Sequence, residues 1–334
     1  MQQLKQMTLK EKIAQLYLID STGDFAEMAE AVSRAQVGGV LLFGKDLSGQ
    51  TQSSLQKECR EYQRLSRHGL FIAIDQEGGL VDRLSASPAI AAGQAYPSPA
   101  KIYQESGHAG LRKEATMVAK QLKTLGINWN FAPVADVADD PSSFIYERTL
   151  KASRKESGRF VAETCQIYQD CQVASSLKHF PGYGNAGDTH TGVGVSRKSK
   201  TAFYQDLEPF KQGIRAGAWS IMVSHLIVSC LDPAAPASLS VPIHDFIRQD
   251  LNYDGIILTD DLQMDAAKEY AKAKGMSPDL LALLAGNDIL LGGNWQTGIP
   301  ALVQAVRNGQ LTEARIDQSV ARVLQLKARL GILK

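Results

Sequence analysis

Short apolar runs, many of them rich in β-branched residues, recur along the chain, and each is followed by a longer stretch with apolar residues at helical spacing. The runs are "IAQLYLI" (13–19), "VGGVLLFG" (37–44), "LFIAIDQ" (70–76), "INWNFAPVADV" (127–137), "VASSLKHF" (173–180), "WSIMVSH" (219–225), "YDGIILTDD" (253–261) and "NDILLGG" (287–293). Segments between them, such as 157–171 and 200–217, read as amphipathic helices. The runs are almost continuously apolar rather than alternating, which suits parallel strands covered on both faces. Eight strand-then-helix units predict an α/β fold, a (β/α)8 TIM-type barrel with room for irregular strands. The expected organisation is one catalytic barrel domain over residues 1–334, with no linker, low-complexity tract or short-period repeat. A doubly wound sheet is the rival arrangement. The last helix is expected over 313–331, with Gly331 at its C-cap.

The polar residues fall at the ends of these runs. Asp75 ends the third, Asp136 the fourth, Lys178 and His179 the fifth, His225 the sixth, and Asp260 and Asp261 the seventh. In a barrel those ends share one rim, where barrel enzymes keep their active sites. A single Asp after a strand is often only a helix cap; several chemically capable side chains on one rim point to a site. Side chains alternate along a strand, so one member of the Asp260–Asp261 pair is expected to face the mouth while the other caps the next helix. The pattern does not say which.

The stretch "KHFPGYGNAGDTHTG" (178–192) leaves the fifth strand and turns glycine-rich while still carrying reactive groups. Asp188 and His190 sit two apart in it, and a carboxylate beside an imidazole makes a competent acid–base near neutral pH. A structureless segment from about Pro181 to Lys200 is long for a compact domain unless it serves as a binding loop or lid. In "DQEGG" (75–79) a carboxylate meets glycines that allow close backbone approach. "LFGKDLSGQ" (42–50) lacks the P-loop spacing.

Composition narrows the partners. Lys and Arg (36) nearly balance Asp and Glu (35), so charge gives no argument for nucleic acid or an anionic membrane as partner. No run approaches the roughly 18 apolar residues of a membrane span. The four cysteines lack metal-type spacing and read as free thiols in a reducing compartment. The N-terminus shows no secretory h-region, and the expected location is cytoplasmic. No cofactor is called for, and nothing in the pattern specifies an oligomeric state.

Taken together, "MTLKEKIAQL" (7–16), "VGGVLLF" (37–43), "DQEGGLVDRL" (75–84), "NFAPVADV" (130–137), "KHFPGYGNAGDTH" (178–190), "MVSH" (222–225) and "TDDLQM" (259–264) resemble the family 3 glycoside hydrolases, specifically the single-domain β-N-acetylhexosaminidases. The resemblance implies a barrel that takes a small-molecule glycoside and cleaves its terminal β-linked N-acetylglucosamine with retention, in turnover of peptidoglycan or chitin fragments. It implies that Asp260 is the nucleophile, that His190 is a loop-borne acid/base with Asp188 as its dyad partner, and that Asp75, Arg83, Arg148, Lys178 and His179 hold the sugar hydroxyls. It implies no metal. With no second domain in these residues, the acid/base is expected from the barrel itself. The chain departs from the family pattern at Leu80, where many members carry arginine, and in "THTGVGV" (189–195), which lacks the usual proline. Alternatives are phosphorolysis of the same glycosides, substrate-assisted cleavage through the acetamido oxygen, and a silent sugar-binding barrel. A metal-dependent hydrolase using His179, His190, His225 and Asp260 is weakened by the absence of an HxH pair in the first run.

Overall fold

The structure, a computed structural model, describes residues 2–187, 192 and 194–334. Eight parallel strands form the centre: β1 Tyr17–Asp20, β2 Gly39–Leu42, β3 Phe71–Ile74, β4 Trp129–Asn130, β5 Ala174–Phe180, β6 Ser220–Val223, β7 Ile256–Thr259 and β8 Leu290–Leu291. Each pairs with its neighbours in sequence, from β7 back through β1 and on to β8. A bridge between Leu258 and Ile289 carries the ring across the last gap, with Thr259 N donating to Ile289 O at 3.2 Å. The result is the predicted α/β barrel. Strands β2, β3, β6 and β7 are buried at every position, the condition under which continuous apolar runs are stable as strands. Helices such as Gln52–Leu65, Pro99–Leu125, Arg154–Asp170 and Glu313–Arg329 supply the outer layer.

Several element boundaries differ from the sequence reading, each for a local reason. The first run does not begin as a strand. Thr8 accepts from Glu11 N while the Glu11 carboxylate accepts from Thr8 N, and this capping box starts a helix over Leu9–Ala14 that takes in Ile13 and Ala14. Strand β1 therefore runs later, to Asp20. The fourth run forms ladder only at Trp129–Asn130; Pro133 has no N–H to donate, and only a bridge from Val134 to Lys178 follows. The helix expected over 200–217 is two, Lys200–Asp206 and Glu208–Arg215, with Pro209 in the first turn of the second. The final helix ends with Leu330 at its C-cap and Gly331 just beyond at φ 69.

A small three-stranded sheet was not legible in the pattern. It joins Val195–Ser196, Ile227–Val228 and Asp232–Pro236 just beyond the end of β6. It fixes the far end of the glycine-rich loop, since Ile227 N donates to Gly194 O at 2.9 Å. At the near end, Ser143 Oγ donates to Gly184 O at 2.7 Å. Among the described residues no helix is long and apolar enough to cross a membrane.

Candidate active site

A cavity of about 260 Å³ sits where the strands end. Its lining divides by strand parity. The even strands contribute apolar side chains: Leu41 from β2, Phe131 just past β4, Met222 from β6 and Leu291 from β8. The odd strands contribute polar ones: Asp20 from β1, Asp75 just past β3, Lys178 and His179 from β5, and Asp260 just past β7. Alternate strands of a barrel share a layer of inward-pointing side chains, and the pairing of Asp20 with Leu41 across β1 and β2 is one instance of the offset. Strand register thus gathers the polar groups over an apolar floor.

One flank is a tightly paired clamp. Lys178 Nζ lies 2.6 Å from both Asp75 Oδ1 and Glu77 Oε1. Arg148 grips Glu77 with both edges of its fork, Nε to Oε2 at 2.9 Å and Nη2 to Oε1 at 2.7 Å. Burial opposes the charge of Glu77, but Lys178 and Arg148 outweigh it and hold the carboxyl down at about 2. Burial likewise works against the Lys178 ammonium, and the carboxylates of Asp75 and Glu77 raise its pKa in spite of it. His179 is set by Asp136, whose Oδ2 accepts from the His179 backbone N at 2.9 Å and from ring Nδ1 at 2.8 Å. Arg148 Nη2 lies 3.2 Å from His179 Nε2; a guanidinium only donates, so Nε2 accepts and Nδ1 carries the proton. The Lys178–His179 peptide bond is cis.

The opposite flank is rich in carboxylates. Asp260 follows β7 directly; its N donates to Val223 O at 2.9 Å, and its Oδ1 accepts from Asp261 N at 2.9 Å. Asp261 Oδ1 accepts from Gln263 N at 2.7 Å and so caps the turn before the next helix. Asp261 still borders the cavity, and burial, reinforced by the charge of Asp260, raises its carboxyl above the usual range. Asp20 is raised further, to about 7, by burial first and then by Asp261 and Asp75, with Lys45 opposing. The backbone N atoms of Arg83 and Leu84 are fixed by Gln76 Oε1, at 2.8 and 3.0 Å. The Arg83 side chain lines the cavity, and its buried Nε has no partner among the described residues.

Of the residues expected from the sequence, Asp75, Arg83, Arg148, Lys178, His179 and Asp260 meet at this one cavity. Asp188 and His190 lie outside the described residues. Among its described contacts, His225 Nε2 donates to Asp261 O at 2.8 Å, and Nδ1 is 2.6 Å from Ser238 Oγ. Two residues were missed. Asp20 falls one position past the run read as strand one, and a register set by the "TLKE" cap would have placed it on the rim. Glu77 stood inside "DQEGG" but was passed over for Asp75 and the glycines. Its turn is held by Gly79 N donating to Tyr96 O at 2.8 Å, and Gly78 and Gly79 both take positive φ. A Cβ on Gly78 would lie 2.5 Å from Pro97 O, so glycine is required there. Among the described residues, no group of three or more His, Cys, Asp or Glu is placed to hold a metal ion.

The family model of the glycosyl hydrolase family 3 N-terminal domain matches residues 8–326. The beta-hexosaminidase LpqI of Mycobacterium tuberculosis is 31% identical over 335 residues, covering 95% of this chain and 82% of the relative. The beta-hexosaminidase A of Pseudoalteromonas piscicida is 29% identical over 341 residues, covering 91% of this chain but 55% of the relative. The chain therefore spans only about half the length of that second protein. Among solved structures, the family 3 β-N-acetylglucosaminidase of Paenibacillus sp. str. FPU-7 superposes with a TM-score of 0.88 at 30% identity, covering 98% of this chain and 63% of that one. With the model match spanning nearly all of the barrel and the polar rim in place, the chain belongs to glycosyl hydrolase family 3.

Proposed function

We propose that the protein is a retaining glycoside hydrolase that removes terminal β-linked N-acetylglucosamine, with Asp260 as nucleophile and Asp188–His190 as acid/base dyad. The observation that carries the reading is the position of Asp260: it borders a cavity whose other wall is a preorganised, charge-paired clamp. The names of the relatives, hexosaminidases and a β-N-acetylglucosaminidase, support the choice of sugar.

In the first step an Asp260 carboxylate oxygen attacks the anomeric carbon and the glycosidic C–O bond breaks. His190 gives its proton to the departing oxygen. In the second step His190 takes a proton from water, the resulting hydroxide attacks the same carbon, and the bond to Asp260 breaks to restore the carboxylate. Both described flanks of the dyad stretch are tied to the protein, at Gly184 and Gly194, which supports its delivery to this rim. The clamp residues Asp75, Lys178, Arg148 and His179, together with Arg83, hold the sugar. With Asp20 set aside as protonated, four carboxyl groups among the described residues border the cavity (Asp75, Glu77, Asp260 and Asp261) against three cations (Arg83, Arg148 and Lys178). That balance supports water rather than phosphate as the acceptor, because an anionic acceptor would be repelled.

The test separates the two steps with an aryl N-acetyl-β-D-glucosaminide and a series of leaving groups. His190→Ala should slow poor leaving groups by about 10²–10⁴-fold and nitrophenolate far less. Azide should then restore turnover and yield a β-glycosyl azide, with Asp188→Ala showing a milder form. Equal slowing of all leaving groups with no azide product would remove the dyad from the chemistry. Loss of activity on chelation, restored by zinc, would overturn the metal-free reading.

A further inference from the structure

We propose that Asp20 is a further substrate-binding residue, its carboxyl donating a hydrogen bond to a sugar hydroxyl on the flank between Asp75 and Asp260. The inference rests on the glycosidase reading of the cavity and adds to it a residue that neither the motif matches nor the sequence pattern assigned.

Three features of the structure carry it. The first is register. Asp20 is the last residue of β1 and completes the set of polar side chains delivered by the odd strands, beside Asp75, Lys178 and Asp260. The second is an unmet hydrogen-bonding atom: Asp20 Oδ1 is buried and has no partner among the described residues, although the neighbouring carboxylate of Asp75 is bonded to Lys178 at 2.6 Å. A buried polar atom left unpaired is costly, and the cavity is where a ligand hydroxyl would meet it. The third is the space kept open beside it for the Asp261 carboxyl. A Cβ on Gly292, which takes φ +67, would lie 2.0 Å from Asp261 Oδ1. Glycine on β8's exit leaves room for that carboxyl, whose charge bears on Asp20.

The charges around Asp20 decide its form. Asp260 and Asp261 face the cavity from β7 and Asp75 from β3; Lys45, an exposed side chain beyond β2, opposes them, and Arg83 lines the same cavity. Lys178 is already engaged by Asp75 and Glu77. Burial and the neighbouring carboxylates keep the proton on Asp20 up to about pH 7. A protonated carboxyl donates one hydrogen bond and accepts others, as an Asn side chain does, while an ionised one only accepts.

The test compares wild type, Asp20→Asn and Asp20→Ala on a methylumbelliferyl N-acetyl-β-D-glucosaminide between pH 5 and 9. Asp20→Ala should raise KM by about tenfold or more, with a smaller effect on kcat. Asp20→Asn should match wild type at pH 6 and keep a flat KM to pH 9, while the wild-type KM climbs above pH 7. A structural role for Asp20 would not move that pH profile. If the wild-type KM does not climb, or if Asp20→Ala leaves KM unchanged, Asp20 is not a binding residue. A wild-type enzyme inert on the glycoside would instead overturn the glycosidase reading on which the assignment stands.

Discussion

The two flanks of the cavity are built on opposite electrostatic terms. Around β3 and β5 the clamp sets charge against charge: Glu77 between Lys178 and Arg148, Asp75 on Lys178, and Asp136 on His179. Around β7 and β1 carboxyl stands beside carboxyl, and burial, reinforced by these neighbours, raises the carboxyl groups of Asp261 and Asp20. The paired flank has fixed geometry because Lys178, Glu77, Arg148 and His179 are each held by two partners, so on the proposed function it can meet a sugar without rearranging. The carboxylate flank is unfavourable in the free protein, and on the function proposed above a substrate that brings partial positive charge to the anomeric carbon would relieve it. On that reading the paired flank holds the sugar, and the carboxylate flank joins the nucleophile Asp260 to the binding carboxyl of Asp20.

The sharpest way to break this contrast is to remove the carboxylate at the centre of the second flank. Asp260→Asn should lower kcat on an aryl glycoside by on the order of 10⁴-fold or more. Thermal stability should stay the same or rise, because Asp261 loses a like charge that helps to raise its pKa. Intact mass spectrometry of the wild type with a slow fluorosugar should show an adduct on the peptide containing Asp260. Strong inhibition by a thiazoline mimic with no adduct would transfer the nucleophile's role to the substrate.

On the paired flank the same kind of change should act through stability. Glu77→Gln leaves Lys178 and Arg148 buried with one carboxylate fewer, a loss of about 3–5 kcal/mol in denaturant unfolding. The pH dependence has a definite sign. The Glu77 carboxyl is depressed from 4.5 to about 2, so the stability it contributes is complete above about pH 4.5 and is lost as pH falls toward 2. The variant should therefore approach wild type in acid. A constant gap between the two from pH 6 to pH 3 would show that Glu77 is not the hub of the clamp.

The barrel was legible in the sequence because burial on both faces leaves a plain mark, eight apolar runs with helical stretches between them. The rim was legible wherever a polar residue closed such a run, as with Asp75, Lys178 and Asp260. What escaped was set by contacts distant in sequence. Glu77 is the clamp's hub only because Arg148, 71 residues on, and Lys178 fold onto it, and no local signal marks that. Asp20 was lost to a boundary error, since apolar Ile13 and Ala14 look the same in a helix as in a strand until the Thr8 cap is taken into account. His225 ends its run as the site residues do, and its contact to the Asp261 carbonyl, 36 residues on, likewise carries no local signal.

The mildest test sharpens the comparison by neutralising one carboxyl of the strained flank while keeping its shape. In the folded protein Asp20 is raised from 3.8 to about 7. Between those values the native state keeps a proton that the unfolded chain has released, so stability falls as pH rises through the window, and the penalty is complete above about pH 7. An asparagine never ionises. Asp20→Asn should therefore match wild type near pH 4, gain steadily up to pH 7, and keep a constant advantage on the order of 1–4 kcal/mol beyond it. For a chain of this size that is a rise of a few degrees in melting temperature, readable by calorimetry at a series of pH values. The opposite trend, with Asp20→Asn losing ground as pH rises, would mean that an ionised Asp20 is held by a cation, and the two flanks would then be alike.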